Sequence, residues 1–237
     1  MAEFYLDAED IVCDFLRVHL TDPRARAEAT ETQTFSPAAA STVITLAAPT
    51  TGSISCITGV TIDGSSTGAK KWQDYYWDYQ NRTLTFFSAF AGTETVIVTY
   101  KYGSKNWAYS DKPDENLNAT SFPRISVFTV SAPGDRLGNY EAPVETRSVL
   151  QIDIWSKDGY YKTISGRTYS NNYLTRYFGN QIIKAFEDNE GDLFPLLHDY
   201  DLISGPRVGP YSPEYQAYHS IIEISLRGIK SGRIVTT

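Results

Sequence analysis

Cysteine is scarce in this sequence, because Cys13 and Cys56 are the only two in 237 residues. Two cysteines make no disulfide framework, and their separation matches no zinc-binding motif. Only three histidines are present, and the sequence has no GxSxG, HExxH or GxxxxGK[ST] pattern. We therefore expect two buried thiols in a reducing compartment, no cofactor, no metal ion and no enzymatic activity.

Positive charge is also limited, with 21 Lys and Arg against 28 Asp and Glu and a net charge of −7. A protein that reads duplex DNA carries a basic stripe to neutralise phosphates, so this composition argues against that class. The acidic N-terminus lacks the features of a signal peptide, and no stretch approaches the ~20 apolar residues of a transmembrane helix. We expect a soluble protein made in a cytosol.

Aromatic residues are abundant, since the chain has 17 tyrosines and four tryptophans. Such residues suit both β-sheets and wet protein–protein interfaces, and composition alone does not separate these two explanations.

The two ends of the chain predict one α+β domain. Apolar residues at helical spacing predict a helix over 7–21, and alternation predicts strands at 122–130, 149–155 and 218–229, with a further strand before the last. In the strand VLQIDIW the apolar residues alternate with Gln151 and Asp153, which predicts one covered and one wetter sheet face. The predicted core is α-β-β-α-β-β, an antiparallel-rich sheet packed on helices over residues 1–29 and 106–237.

Residues 30–105 differ in composition, being rich in Ser, Thr, Gly and β-branched residues. Short alternating segments separated by turn residues predict a small all-β sandwich or barrel, inserted into the α+β domain.

A second helix is predicted over 168–188 from a stripe at helical spacing. The stripe consists of Tyr169, Tyr173, Tyr177, Phe178, Ile182 and Phe186. Gly179 interrupts it at a cost of about 1 kcal/mol relative to alanine, so we expect another element to pack closely there. Further along, Asp199 and Asp201 lie on one side of a predicted strand, where a solvated strand edge is favoured over a metal site.

This order of elements resembles the tail terminator, or tail-completion (head–tail joining), proteins of long-tailed bacteriophages. The resemblance rests on the N-terminal helix, FPRISVF, VLQIDIW, the Tyr-rich helix and the final SIIEISLRGI, and residues 30–105 depart from the family's compact form. It implies a virion protein, assembled in the host cytoplasm, that forms a ring, usually of six copies. Such a ring caps the tail tube, contacts the tube protein and the head-side connector or stopper protein, and lets DNA pass without sequence-specific binding.

A ring needs a heterologous contact between two different faces of each copy. We predict it at the sheet edge 122–130, the loop 131–147 and the tip 204–216, unless the latter two are ordinary surface loops. The candidate interface residues are Phe122, Arg124, Asp135, Arg136, Glu141, Glu145, Arg147, Arg207 and Tyr211.

An alternative function, from another class, is carbohydrate or receptor binding by the β module. It depends on an exposed aromatic patch that could stack on sugar rings, although such a cluster is more often a core or a subunit contact. The patch consists of Trp72, Tyr75, Tyr76 and Trp77. A hydrolase built on the same α+β core is a third, weaker possibility.

Overall fold

The computed structural model describes residues 8–71, 73–78, 81–110, 117–131, 134–136, 144–193 and 197–230. Arg24–Asn106 forms one compact unit, and the described residues up to Pro23 join those from Trp107 onward in a second. The inserted module had been predicted from the sequence at residues 30–105. Two α-helices and four sheets make this a sheet-rich α+β chain over its described part. Neither described helix is long and apolar enough to cross a bilayer.

The first unit contains two three-stranded antiparallel sheets. Strands β1, β6 and β3 form one sheet, and β2, β5 and β4 form the other. The strands are β1 Ala29–Phe35, β2 Val43–Thr45, β3 Ser53–Ile62, β4 Tyr75–Asp78, β5 Thr83–Phe86 and β6 Val96–Gly103. Alternating residues of both sheets enter one hydrophobic cluster, with Trp77 and Leu84 from one sheet and Val98 and Tyr100 from the other. Each sheet therefore has one face in this core and one face toward solvent.

The second unit contains a six-stranded sheet with two helices. The elements are α1 Ala8–His19, β7 Ala108–Tyr109, β8 Arg124–Ser131, β9 Gly134–Arg136, β10 Val144–Lys157, β11 Tyr161–Ile164, β12 Arg167–Ser170, α2 Asn171–Asp188, β13 Leu197–Val208 and β14 Ala217–Lys230. The strand order is β13-β14-β10-β8-β7, with β9 also paired to β10. All pairs in this sheet are antiparallel except β7 with β8.

The core of the second unit lies between α2 and one face of the large sheet. The predicted inward positions of β10 and β14 are confirmed, since their side chains are buried. Helix α2 supplies Leu174, Phe178 and Ile182, and Phe186 stacks on Phe15 of α1 with ring centroids 4.9 Å apart. The sheet residues involved are Leu150, Ile152, Ile154, Ile222, Ile224 and Leu226.

The opposite face of the sheet is less exposed to solvent than predicted. Asp153 was expected to point outward into solvent, but it is buried, as are Arg124 and Ser126 on the neighbouring strand. Phe122, Trp155 and Ala217 form a small hydrophobic cluster here, with Leu117 and Tyr215 packed against it. Segments before β8 and before β14 therefore cover part of the second face, which alternation within a strand could not reveal.

Helix α2 begins later than predicted. Residues 161–170 form the β11–β12 hairpin, so Tyr169 belongs to a strand, although its ring still lies 5.0 Å from that of Tyr177. Ser165 and Gly166 both have positive φ, as the two central residues of a type I′ turn require. Tyr173 is on the helix but is 71% exposed, so the aromatic stripe is only partly buried.

The close neighbour predicted at Gly179 is confirmed. A Cβ at this position would lie 2.6 Å from Cβ and 2.9 Å from Cγ of Pro206, which belongs to β13. The absence of a side chain at Gly179 thus lets α2 approach the outer strand of the sheet.

We predict that Gly179→Ala destabilises the protein. In an open helix this change stabilises by about 1 kcal/mol, but here the added methyl collides with the proline ring, and overpacking costs about 1–3 kcal/mol. Urea unfolding should therefore show a lower free energy of unfolding. Asn180→Ala, on the exposed side of the same turn, is the matched control and should be neutral or slightly stabilising. An increase in stability for both variants would contradict the contact.

The two cysteines are buried and free, as predicted. Cys13 lies on α1 in the second unit, and burial raises the pKa of its thiol from 9.0 to about 12. Cys56 lies on β3 in the first unit and is fully buried.

We predict that neither thiol reacts with an aromatic disulfide reagent in the folded protein. The thiolate is the reactive form; burial limits access of the reagent to both thiols, and at Cys13 the raised pKa also suppresses the thiolate. Single variants Cys13→Ser and Cys56→Ser would assign any reaction to one unit. Fast, complete labelling of either variant without denaturant would contradict the placement of the remaining thiol.

Candidate interface surfaces

Strand β13 is the outer strand of the large sheet, and no described strand pairs with its free side. It carries three exposed apolar side chains: Leu202 at 43%, Ile203 at 49% and Val208 at 48%. Unpaired edges and clustered exposed apolar residues are features that natural proteins protect or use for association. We call this strand, from Leu197 to Val208, the edge surface.

The edge surface is irregular. The pairing of β13 with β14 shifts register at three places, between Leu197 and Val208. Arg207 Nη2 lies 2.6 Å from Glu223 Oε1, and Ser204 Oγ donates to the other carboxylate oxygen at 3.3 Å. Bulges and fixed charges on an edge strand oppose indiscriminate strand pairing, so any partner must recognise side chains as well as backbone.

The tip that follows β13 is held in place by backbone hydrogen bonds. Gly209 N donates to His219 O at 3.0 Å, and Ser212 bonds Ala217 in both directions. Tyr211 is 42% exposed, and its ring packs 4.9 Å from that of Tyr218. The tip therefore presents a supported aromatic side chain at the surface.

A buried polar cluster lies beneath the tip. The His219 ring is 4.4 Å from that of Trp155, and a Cβ at Gly209 would lie only 2.1 Å from His219 Nε2. Trp155 Nε1 and His219 Nδ1 have no hydrogen-bond partner among the described residues. Burial lowers the pKa of His219 below 6.5, although the nearby Asp153 carboxylate acts in the opposite direction. The site favours a neutral imidazole.

This cluster does not form a nucleophile–base pair. Ser126 lies opposite Asp153 in the sheet, so a serine, a histidine and an aspartate share one face. A triad needs a bond from imidazole Nδ1–H to the carboxylate and a hydroxyl at Nε2. Here Nδ1 lacks a partner within the described chain, and Nε2 faces the Gly209 backbone. The arrangement is a packing unit beneath the tip.

The first part of the predicted interface needs correction. Phe122 and Arg124 are only 1% and 6% exposed, and the Arg124 guanidinium lies 3.9 Å from the centroid of the Tyr109 ring. Strand β8 is not a free edge, because β7 pairs with it and Thr129 N donates to the Glu9 carboxylate of α1. We therefore remove Phe122 and Arg124 from the candidate interface.

The rest of the predicted interface divides into two groups. Arg147, Arg207 and Tyr211 are exposed, and Arg147 Nε also donates to Ser225 Oγ at 2.8 Å. The loop predicted at 131–147 is partly strand, since β9 pairs with the first residues of β10. Glu141 and the side chains of Asp135, Arg136 and Glu145 lie outside the described residues.

The predicted exposed aromatic patch is largely core. Tyr75 and Trp77 are 3% and 1% exposed, because alternate residues of β4 point into the first unit. Tyr76 is half-buried, and Trp72 lies outside the described residues. A platform for sugar stacking does not form from Tyr75 and Trp77.

A different exposed aromatic surface was missed from the sequence. Tyr161 on β11 is 68% exposed and Tyr173 on α2 is 71% exposed. Arg176, one turn along α2 from Tyr173, and Arg167 on β12 are exposed as well. Tyr161 lies on the opposite face of the hairpin from Arg167, so we call only Arg167, Tyr173 and Arg176 the hairpin surface. The signal was the two-residue Ser165-Gly166 segment between alternating stretches, a hairpin pattern that the prediction of a helix from 168 obscured.

Metal binding finds no support in the part of the chain that the structure describes. There, no three His, Cys, Asp or Glu side chains are grouped so that they could hold an ion. Asp199 and Asp201 are exposed on β13, and the side chain of His198 is not among those described.

Comparison with known proteins gives no match: no protein-family model matches the chain, and no curated protein sequence matches it. Its function has to be argued from its surfaces.

We predict that the His219 cluster makes stability depend on pH. The pKa of His219 is lower in the folded protein than its unfolded value near 6.5, so the unfolded chain binds more protons in acid. Its contribution to stability should be complete above 6.5 and decrease as the pH falls through the folded value. Urea unfolding at neutral and mildly acidic pH would compare wild type with His219→Gln. If the two proteins differ in free energy of unfolding by the same amount at both pH values, His219 does not titrate in this range and the prediction is contradicted.

Proposed function

We propose that this chain is a structural virion protein that caps the tail tube and joins it to the head-side connector. It acts as a homo-oligomeric ring, with six copies expected, and DNA passes through the lumen. In detail, the second unit is a tail-terminator-like core and the first unit is an inserted β module. The proposal starts from the resemblance of the element order, and the surface of the second unit supports it.

The observation that carries the proposal is the distribution of exposed large apolar side chains. Among the described residues, Val43 is the only one in the first unit. All the others belong to the second unit: Val130, Tyr161, Tyr173, Leu202, Ile203, Val208 and Tyr211. They fall mainly on the β11–β12 hairpin with the start of α2, and on the edge surface with its tip. Two separate association surfaces on one chain are what a heterologous ring contact requires.

The net charge of the chain also fits a ring whose central channel contains DNA. With a net charge of −7, the protein as a whole repels the phosphate backbone, so DNA could slide without binding. The carbohydrate-binding alternative has lost its main observation, because Tyr75 and Trp77 are core residues. We do not carry it further.

The test is the mass and symmetry of the purified protein, alone and with tail tubes assembled from the tube protein. We expect six-fold rings by light scattering and negative-stain imaging, or six-fold caps at tube ends when assembly needs the tube. Imaging should find the caps at one end of each tube, because a terminator meets the tube only where it faces the head.

A matched pair of variants sharpens this test. Leu202→Lys places a charge in the middle of the edge surface and should abolish rings or caps, since a buried unpaired charge is costly. Val43→Lys changes the exposed apolar residue of the first unit and should leave assembly intact. A wild-type protein that stays monomeric and never associates with tubes would refute the proposed function.

A further inference from the structure

Neither end of α2 carries the charges that a helix on its own would favour. The helix dipole favours acidic residues in the first turn and basic residues in the last. Helix α1 follows this rule, with Glu9 and Asp10 in its first turn and Arg17 and His19 in its last. Helix α2 has no acidic residue in its first turn and no basic residue in its last.

Basic residues lie at the N-terminal end of α2. Arg176 is exposed in the second turn, and Arg167 is exposed on the β12 strand that leads into the helix. With Tyr173 they form the hairpin surface, where the Arg167 guanidinium lies 5.5 Å from the centroid of the Tyr169 ring. An exposed surface of tyrosine and arginine has the composition of protein–protein contacts.

Acidic residues lie at the C-terminal end of α2 and just beyond it. Asp188 pairs with Lys184 at 2.6 Å, and Asp192 pairs with His19 at 3.0 Å. Glu187 and Glu190 are exposed, and the adjacent Phe186 ring lies 5.7 Å from the Tyr200 ring on β13, so this end of α2 packs beside that strand. Leu202, 43% exposed, is on the same face of β13 as Tyr200. We call Glu187, Glu190, Tyr200 and Leu202 the acidic surface.

We propose that the hairpin surface of one copy binds the acidic surface of the next copy. The occupant is a second copy of this chain because both complementary surfaces are on the chain itself. One carries arginine and tyrosine, and the other carries carboxylates with an exposed leucine and a half-buried tyrosine. The helix dipoles add to the attraction, because the positive end of one α2 meets the negative end of its neighbour.

The two surfaces cannot satisfy each other within one copy. An 18-residue helix spans roughly 27 Å, so its two ends are far apart. The contact is therefore heterologous and repeats from copy to copy, closing into a ring when the rotation between copies permits. This inference rests on the proposed function, since it specifies the contact that builds the proposed ring.

Charge reversal provides the experiment. Arg167→Glu with Arg176→Glu makes the hairpin variant, and Glu187→Lys with Glu190→Lys makes the acidic-surface variant. Each should lose the ring and run as a monomer in light scattering, while the quadruple variant, with both surfaces reversed, should regain it. An equimolar mixture of the two double variants should also assemble, because each contact then joins opposite charges.

The controls separate assembly from folding. All four positions are exposed, and at Glu187, in the last turn of α2, a lysine agrees with the helix dipole, so neither double variant should have lost secondary structure or cooperative unfolding. Arg167→Lys with Arg176→Lys keeps the charge and should keep the ring. Lys70→Glu changes an exposed lysine of the first unit and should have no effect. Where the wild type assembles only on tubes, caps at tube ends replace mass as the readout.

The outcomes distinguish the two proposals. Rings or caps formed by wild type and by both double variants would overturn this contact while the ring itself stands. Loss of assembly in the double variants without recovery in the quadruple variant or the mixture would also overturn it. A wild-type protein that forms neither rings nor caps would overturn the contact together with the proposed function.

Discussion

The close approach of α2 to the sheet is the constraint on which the second unit depends. Gly179 leaves room for Pro206, so the helix rests on the outer strand as well as on β10 and β14. The same contact fixes α2 along the sheet, because the buried Leu174, Phe178 and Ile182 then fall on the inward residues of the strands. Both ends of α2, and the surfaces built on them, take their positions from this packing.

Packing also explains how α2 tolerates its own charges. Charges opposed to the helix dipole cost about 0.3–1 kcal/mol each at exposed sites, whereas burying one large aliphatic or aromatic side chain gains about 1.5–3 kcal/mol. The buried face of α2 therefore outweighs the electrostatic cost of Glu187 and Asp188 in its last turn. A helix stabilised by tertiary contacts in this way can keep unfavourable terminal charges that serve a partner.

The sequence predicted the features that depend on local periodicity. The strands at 122–130, 149–155 and 218–229, the close neighbour of Gly179 and the buried thiols all follow from spacing and residue type within a short window. It did not predict what depends on distant segments. The two-residue strand β7 converts β8 from an edge into an interior strand, and residues before β8 and β14 cover part of the sheet face that carries Asp153. The direction of the aromatic residues in β4 was missed because alternation alone does not say which face is the core.

The placement of aromatic residues bears on how the two units divide their tasks. In the first unit Tyr75, Trp77 and Tyr100 point into the core, and the exposed strand residues are largely Ser and Thr. A small two-sheet unit needs these large side chains to bury enough apolar area to be stable. The second unit has a larger sheet with two helices, and it leaves Tyr161, Tyr173 and Tyr211 at the surface. Aromatic residues exposed on an already adequate core are free to act in recognition, which is why we assign assembly to the second unit.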